Sequence, residues 1–165
     1  MKITPLYIFL IIFQVTVAQD SLHELLDNYN NETIPYINVD DLKTLQNDVI
    51  LLDAREQVEY DVSHIKKAIH VGYNLFSIDS LASQNIPKDK TIVVYCSLGV
   101  RSEDISEKLK KAGYENVFNL YGGIFEWKNR DLPVVNSEDE ITDEVHACSK
   151  EWAKWLLKGK KVYSN

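Results

Sequence analysis

Along the chain, short apolar runs alternate with segments whose apolar positions recur every three or four residues. Val49-Ile50-Leu51-Leu52 runs into Asp53, and Thr91-Ile92-Val93-Val94-Tyr95 runs into Cys96. Val117-Phe118-Asn119-Leu120-Tyr121 is closed by Gly122-Gly123, and Ala68-Ile69-His70-Val71 is a shorter fourth run. Runs rich in β-branched residues and bounded by turn residues predict strands buried on both faces, as in a parallel sheet. Between them, Ser102 to Ala112 puts Ile105, Leu109 and Ala112 on one helical stripe, with Gly113 as the stop. Asp40 to Leu45 and Ser77 to Ser83 are weaker helical segments. This alternation predicts an α/β fold with a mostly parallel, helix-covered sheet, closed at Pro133.

The two ends depart from this pattern. Lys2 and the apolar run Leu6 to Val17 lead into Thr16-Val17-Ala18, a small-residue cleavage site, so residues 1–18 are expected to be an export signal. The run is too short to span a bilayer, which takes about 20 residues. Export would place the protein in the periplasm or outside the cell, with no membrane span once the signal is removed. Residues 19–33 are polar, with Asn28, Asn30 and Asn31, and predict a short helix on a loose linker. Residues 136–165 form a C-terminal extension, acidic at first, then an expected amphipathic helix from Ser149 to Leu157 carrying Trp152, Trp155 and Leu156. Lys158, Lys160 and Lys161 would suit the negative end of that helix. Its tryptophans are expected to pack on the domain; the alternative is a surface for a protein partner.

Composition narrows the function classes. The 165 residues are 45% hydrophobic and 26% charged, which suits one domain with one core. A net charge of -7 without a basic stripe gives no electrostatic support for nucleic-acid binding. Two cysteines, Cys96 and Cys148, make neither a disulfide scaffold nor a zinc site. No His or carboxylate cluster has metal spacing, and no cofactor is implied.

The candidate chemistry sits in Cys96-Ser97-Leu98-Gly99-Val100-Arg101-Ser102. In an open α/β sheet, ligands bind beyond the carboxyl ends of the strands. Cys96 stands at such an end, and its loop leads directly into a helix. Inward-pointing amides and the positive end of that helix favour the thiolate. Arg101 adds a permanent positive charge, and Gly99 frees the backbone to turn. The pattern is a nucleophile, an anion cradle and a fixed cation.

These residues resemble the active-site loop of the rhodanese family, a cysteine and four residues followed by Arg-Ser. Two further blocks carry the resemblance: Asp53-Ala54-Arg55, Glu59-Tyr60, His64-Ile65 and Ala68-Ile69 upstream, and Asn119 to Ile124 with Trp127 downstream. Together they span about residues 34–135. Ser63 and Lys67 stand where the family commonly has glycine. The resemblance implies a three-layer α/β/α domain around a sheet of roughly five strands. It also implies a sulfurtransferase that carries a sulfane sulfur as a Cys96 persulfide. The donor would be thiosulfate, a persulfide or a polysulfide, and the acceptor a thiol or cyanide. The related phosphatases and arsenate reductases enclose a tetrahedral oxyanion with five residues between cysteine and arginine. Here four residues separate Cys96 from Arg101, a ring that suits a single sulfur.

Asp53, Arg55 and Glu59 are expected to form a charge network beside the loop, and His64 to be a hydrogen-bonded turn residue. His70 is expected in a strand, and His146 in the tail near Cys148. Cys148 is either a small buried residue or a redox partner of Cys96, resolving its persulfide or closing a disulfide. Two other functions follow from these alternatives: a rhodanese-fold binding module that carries no sulfur, and thiol–disulfide exchange through Cys148.

Overall fold

The computed structural model describes residues 22–45 and 49–163. The expected export signal lies outside them. Residues 22–29 form the first helix, α1. It is followed by β1 (Tyr36–Ile37), α2 (Val39–Leu45), β2 (Val49–Asp53), α3 (Gln57–Val62), β3 (Ile69–His70) and α4 (Ile78–Ala82). Then come β4 (Thr91–Tyr95), α5 (Val100–Lys111), β5 (Val117–Leu120) and α6 (Gly123–Asn129). Short strands β6 (Val134–Val135), β7 (Ile141–Thr142), β8 (Glu144–His146) and β9 (Lys160–Val162) complete the chain.

The central sheet has five strands in the order β1-β5-β4-β2-β3, and every pairing is parallel. β4 lies in the middle, paired with β2 from Val49↔Thr91 to Asp53↔Tyr95 and with β5 from Ile92↔Val117 to Val94↔Asn119. Its side chains alternate between two cores, as the strand period requires. Val93 and Tyr95 join one core with Leu26 of α1, Leu42 of α2 and Phe125 of α6. Ile92 and Val94 join the other with Leu81 of α4 and with Ile105 and Leu109 of α5. Helices on both faces of a parallel sheet make the anticipated three-layer arrangement. The central strand therefore ends, at Cys96, in the gap between the layers.

The polar segment before β1 holds the expected short helix but is not a loose linker. Leu22 and Leu26 are buried in the first core, with Leu25 packed against it, a stripe of three leucines on one face of α1. Asn30 is buried as well.

The packed body does not stop at Pro133 either. Val134, Val145 and Leu156 lie in the first core, and Trp152 and Trp155 pack against it. The expected amphipathic helix reduces to one 3-10 turn, Trp152–Trp155. Asn129, at the end of α6, donates to the Trp155 carbonyl and accepts from the Leu157 amide (2.9 and 2.7 Å). The lysines continue into β9, which pairs in parallel with β8. Nine residues of helical periodicity form too few turns to hold a helix against such competing contacts.

Lys67 has a φ of 68°. Glycine is favoured there because a side chain crowds the left-handed conformation, at roughly 1–2 kcal/mol for other residues. Ser63 has a φ of -171°, extended backbone open to any residue, so nothing in this turn requires glycine at that position.

Candidate active site

Cys96 is fully buried at the carboxyl end of β4. Its Sγ accepts the Gly99 amide at 3.1 Å and lies 3.5 Å from Ser102 Oγ. Gly99 is the residue before α5, at a φ of 121°, so that amide is aimed at the sulfur by a conformation that side-chain-bearing residues rarely adopt. The sulfur thus lies at the positive end of a twelve-residue helix.

The loop is held from behind. The Gly99 carbonyl accepts from Asn119 Nδ2 at 2.7 Å and from Asn30 Nδ2 at 3.0 Å. Asn119 also donates to Glu103 Oε2, so both of its amide hydrogens are committed and its Oδ1 faces Ser102 Oγ at 2.7 Å. Ser102 has one proton and gives it to that shorter contact, leaving an oxygen that can accept from a protonated Cys96. The Cys96 and Ser97 carbonyls accept the amides of Ile124 and Phe125 in the first turn of α6 (2.9 and 3.2 Å). Helix α6 comes this close because Gly123 has no side chain: a Cβ there would sit 2.3 Å from the Cys96 carbonyl oxygen. Leu98 points into the first core, Ser97 and Ser102 are buried, and Val100 is half-buried.

The charge network divides differently from the expected one. Asp53 pairs with Arg55, both side chains at 0% exposure, and Arg55 also donates to the Ser63 carbonyl at 2.6 Å. Glu59 pairs instead with Arg101, Nη1 to Oε2 at 2.6 Å and Nη2 to Oε1 at 2.8 Å. Arg101 is therefore neutralised by a bidentate partner and is not a free cation beside the sulfur. Burial pushes the Glu59 carboxyl up, but the Arg101 hydrogen bonds and charge outweigh it and hold the group down at about 2. Glu59 also accepts from Ser97 Oγ at 3.2 Å and from the Glu56 amide at 3.0 Å, which closes a capping box on α3. His64 stacks on Tyr60 with ring centroids 3.8 Å apart, and its Nδ1 lies 3.1 Å from the Tyr60 carbonyl. That is a structural position, away from the sulfur.

The tail packs against the Glu59–Arg101 pair. His146 Nδ1 lies 3.8 Å from Glu59 Oε1 and accepts the Cys148 amide at 3.2 Å. Burial lowers the His146 pKa, and a ring nitrogen that accepts carries no proton, so this histidine is neutral. Cys148 is exposed, with its Sγ 3.9 Å from Arg101 Nη2. His70 is half-buried on β3, its Nε2 2.8 Å from the Arg55 carbonyl.

The sequence brought Cys96, its loop, Asp53, Arg55 and Glu59 into view, and the structure assembles them in one place. Asn30 and His146 were missed as parts of it. Both come from the ends of the chain, where no local pattern marks them. Among the described residues, no group of three metal-ligating side chains is placed to hold an ion, and no helix is long and apolar enough to cross a membrane.

Comparison with known proteins agrees with this fold. The family model described as "Rhodanese-like domain" matches residues 38–130, more than half of the chain. A sulfurtransferase of Allochromatium vinosum is 37% identical over 91 residues, covering 55% of this chain and 82% of that protein. A tRNA uridine(34) hydroxylase of Onion yellows phytoplasma is 41% identical over 90 residues, covering 52% of this chain but 29% of its own length. The chain thus spans under a third of that longer relative. Among solved structures, a thiosulfate sulfurtransferase of Pseudomonas aeruginosa superposes with a TM-score of 0.59 at 21% identity, over 85% of this chain and 26% of that one. At that identity the likeness speaks to the fold.

Proposed function

The chain belongs to the rhodanese-like domain family, and on that premise we propose that it is a sulfurtransferase with Cys96 as its nucleophile. The observation that carries this reading is the Gly99 amide 3.1 Å from Cys96 Sγ, at the head of α5. In the first half-reaction the Cys96 thiolate attacks the outer sulfur of a donor persulfide. The donor's S–S bond breaks, its thiolate leaves, and Cys96 carries the outer sulfur. An acceptor thiolate then attacks that sulfur and releases Cys96 as the thiolate. Each step is a displacement at sulfur, and the covalent intermediate divides one transfer into two. The Gly99 amide and the helix end stabilise the anion that starts and ends the cycle.

Two features argue for persulfide or polysulfide donors over thiosulfate. Cys96 has no exposed surface, so a donor must shed water to reach it. Arg101, the cation that would compensate a dianion, is already held by Glu59. Burying thiosulfate beside a neutralised arginine therefore costs more than burying a singly charged persulfide. The acceptor is a thiol, with cyanide as a laboratory substitute. The Lys2 start and the apolar run to Val17 support export to the periplasm or beyond. N-terminal sequencing of protein from fractionated cells tests that placement, with a start at Gln19 as the expected result.

The functional test is steady-state turnover with glutathione persulfide, polysulfide and thiosulfate as donors and dithiothreitol or cyanide as acceptor. The expected result is sulfide or thiocyanate production that Cys96→Ser abolishes, with kcat/KM at least tenfold lower for thiosulfate. Equal turnover by Cys96→Ser would overturn the assignment.

A further inference from the structure

Cys148, far from Cys96 in sequence, comes to the guanidinium that also touches the residue after Cys96. Arg101 Nη2 lies 3.1 Å from Ser97 Oγ, the residue after Cys96, and 3.9 Å from Cys148 Sγ. The two thiols differ sharply in access: Cys96 is fully buried, and Cys148 is exposed. Cys148 is also held in place. Its φ is 63°, its amide is tied to His146 Nδ1 at 3.2 Å, and it follows β8, which is paired with β9. The His146 that anchors it faces Glu59, the partner of Arg101. His146 and Cys148 thus form a fixed lip against the Glu59–Arg101 pair, and the lip carries a nucleophile.

Resting on the sulfurtransferase reading above, we propose that Cys148 is a second sulfur-carrying residue, which takes the outer sulfur from Cys96 and presents it at the surface to thiols of protein size. The Cys148 thiol first loses its proton to solvent. Its thiolate attacks the outer sulfur of the Cys96 persulfide, the S–S bond to Cys96 breaks, and a new S–S bond forms on Cys148. Cys96 leaves as a thiolate into the site that stabilises its anion, with the Gly99 amide at 3.1 Å. No oxidant or reductant is consumed, because one sulfane sulfur moves from one thiolate to another. The relay answers a steric problem: a protein thiol cannot reach a sulfur with no exposed surface, whereas it can reach Cys148. Attack on the inner sulfur, which would close a disulfide and release sulfide, is disfavoured because Cys96 Sγ is the buried atom of the pair. Cys148 is exposed as a residue, but its thiol is partly desolvated beside Arg101, which raises its pKa against the Arg101 charge, so few of these thiols are ionised at neutral pH while each thiolate is a strong nucleophile.

The test uses the full chain, loaded briefly with glutathione persulfide, then alkylated without reduction and digested with trypsin. Cleavage after Lys90, Arg101, Arg130 and Lys150 puts the two cysteines on separate peptides, residues 91–101 and 131–150. In the wild type, a gain of about 32 Da is expected first on the Cys96 peptide and then, as that declines, on the Cys148 peptide. Cys96→Ser should leave Cys148 at least tenfold less loaded over the same time. Cys148→Ser and Cys148→Ala should both hold the sulfur on Cys96 and slow its passage to a reduced protein thiol. The relay is overturned if Cys96 loads while Cys148 stays unmodified, if Cys148 loads as fast in Cys96→Ser, or if a disulfide-linked peptide pair appears. Failure of Cys96 to load from any donor instead removes the reading on which the relay rests.

Discussion

Replacing Glu59 with glutamine isolates the ion pair that sets the site's electrostatics. The Glu59 side chain is 5% exposed and that of Arg101 18%, so solvent screens their pairing weakly. The displacement of the Glu59 carboxyl from 4.5 to about 2 corresponds to roughly 3 kcal/mol in favour of the charged form, at about 1.4 kcal/mol per pH unit. Glutamine keeps the size and one acceptor oxygen but leaves Arg101 without its counter-charge. Removing one partner of a buried pair costs about 3–5 kcal/mol. The retained hydrogen bond brings the expected loss for Glu59→Gln to about 2–3 kcal/mol, or about 4–12 °C in Tm for a chain of this size. Because the folded carboxyl is depressed, its stabilisation is complete above the unfolded value near 4.5 and is lost as pH falls toward about 2. Urea titrations followed by far-UV circular dichroism at a series of pH values test both parts. The stability gap between wild type and variant should stay constant from about pH 7 to 5.5, then close as the wild-type carboxyl protonates. A gap below about 0.5 kcal/mol at pH 7, or one unchanged down to about pH 3, would refute the argument.

Three further substitutions probe the scaffold. Gly123→Ala should abolish persulfide formation or soluble expression, since its Cβ would lie 2.3 Å from the Cys96 carbonyl oxygen and 2.7 Å from that of Ser97; intact-mass loading at wild-type level would contradict this. Leu26→Ala should cost about 2–5 kcal/mol in urea unfolding, because the polar segment before β1 buries this side chain fully in the core. A cost below about 0.5 kcal/mol would mean that α1 is not part of the packed body. Lys67→Gly should be more stable than Lys67→Ala by up to about 1 kcal/mol, since both remove the side chain and only glycine relieves a φ of 68°. An alanine variant as stable as the glycine one would contradict this.

The parts of this fold that local pattern controls were legible in the sequence. The apolar runs of β2, β4 and β5 and the stripe of α5 mark themselves, and the Cys96 loop carries its chemistry in adjacent residues. The choice of Arg101 over Arg55 as the partner of Glu59 was not legible. It depends on Asp53, two residues from Arg55, taking that guanidinium first. The leucine stripe of α1 was present in the sequence, but polar neighbours obscured it, and Asn30 reaches Gly99 only through the tertiary fold. In the tail, helical periodicity between Ser149 and Leu157 misled because the pairing of β8 with β9 and the Asn129 side chain determine its conformation. The placement of Cys148 beside Arg101 follows from that same pairing.

The role of Cys96 is tested most directly by the intact mass of the reduced protein after brief exposure to a persulfide donor. A gain of about 32 Da is expected on the wild type, absent from Cys96→Ser and removed from the wild type by a thiol acceptor. An unchanged wild-type mass with persulfide, polysulfide and thiosulfate alike would contradict it, as would an equal gain on Cys96→Ser.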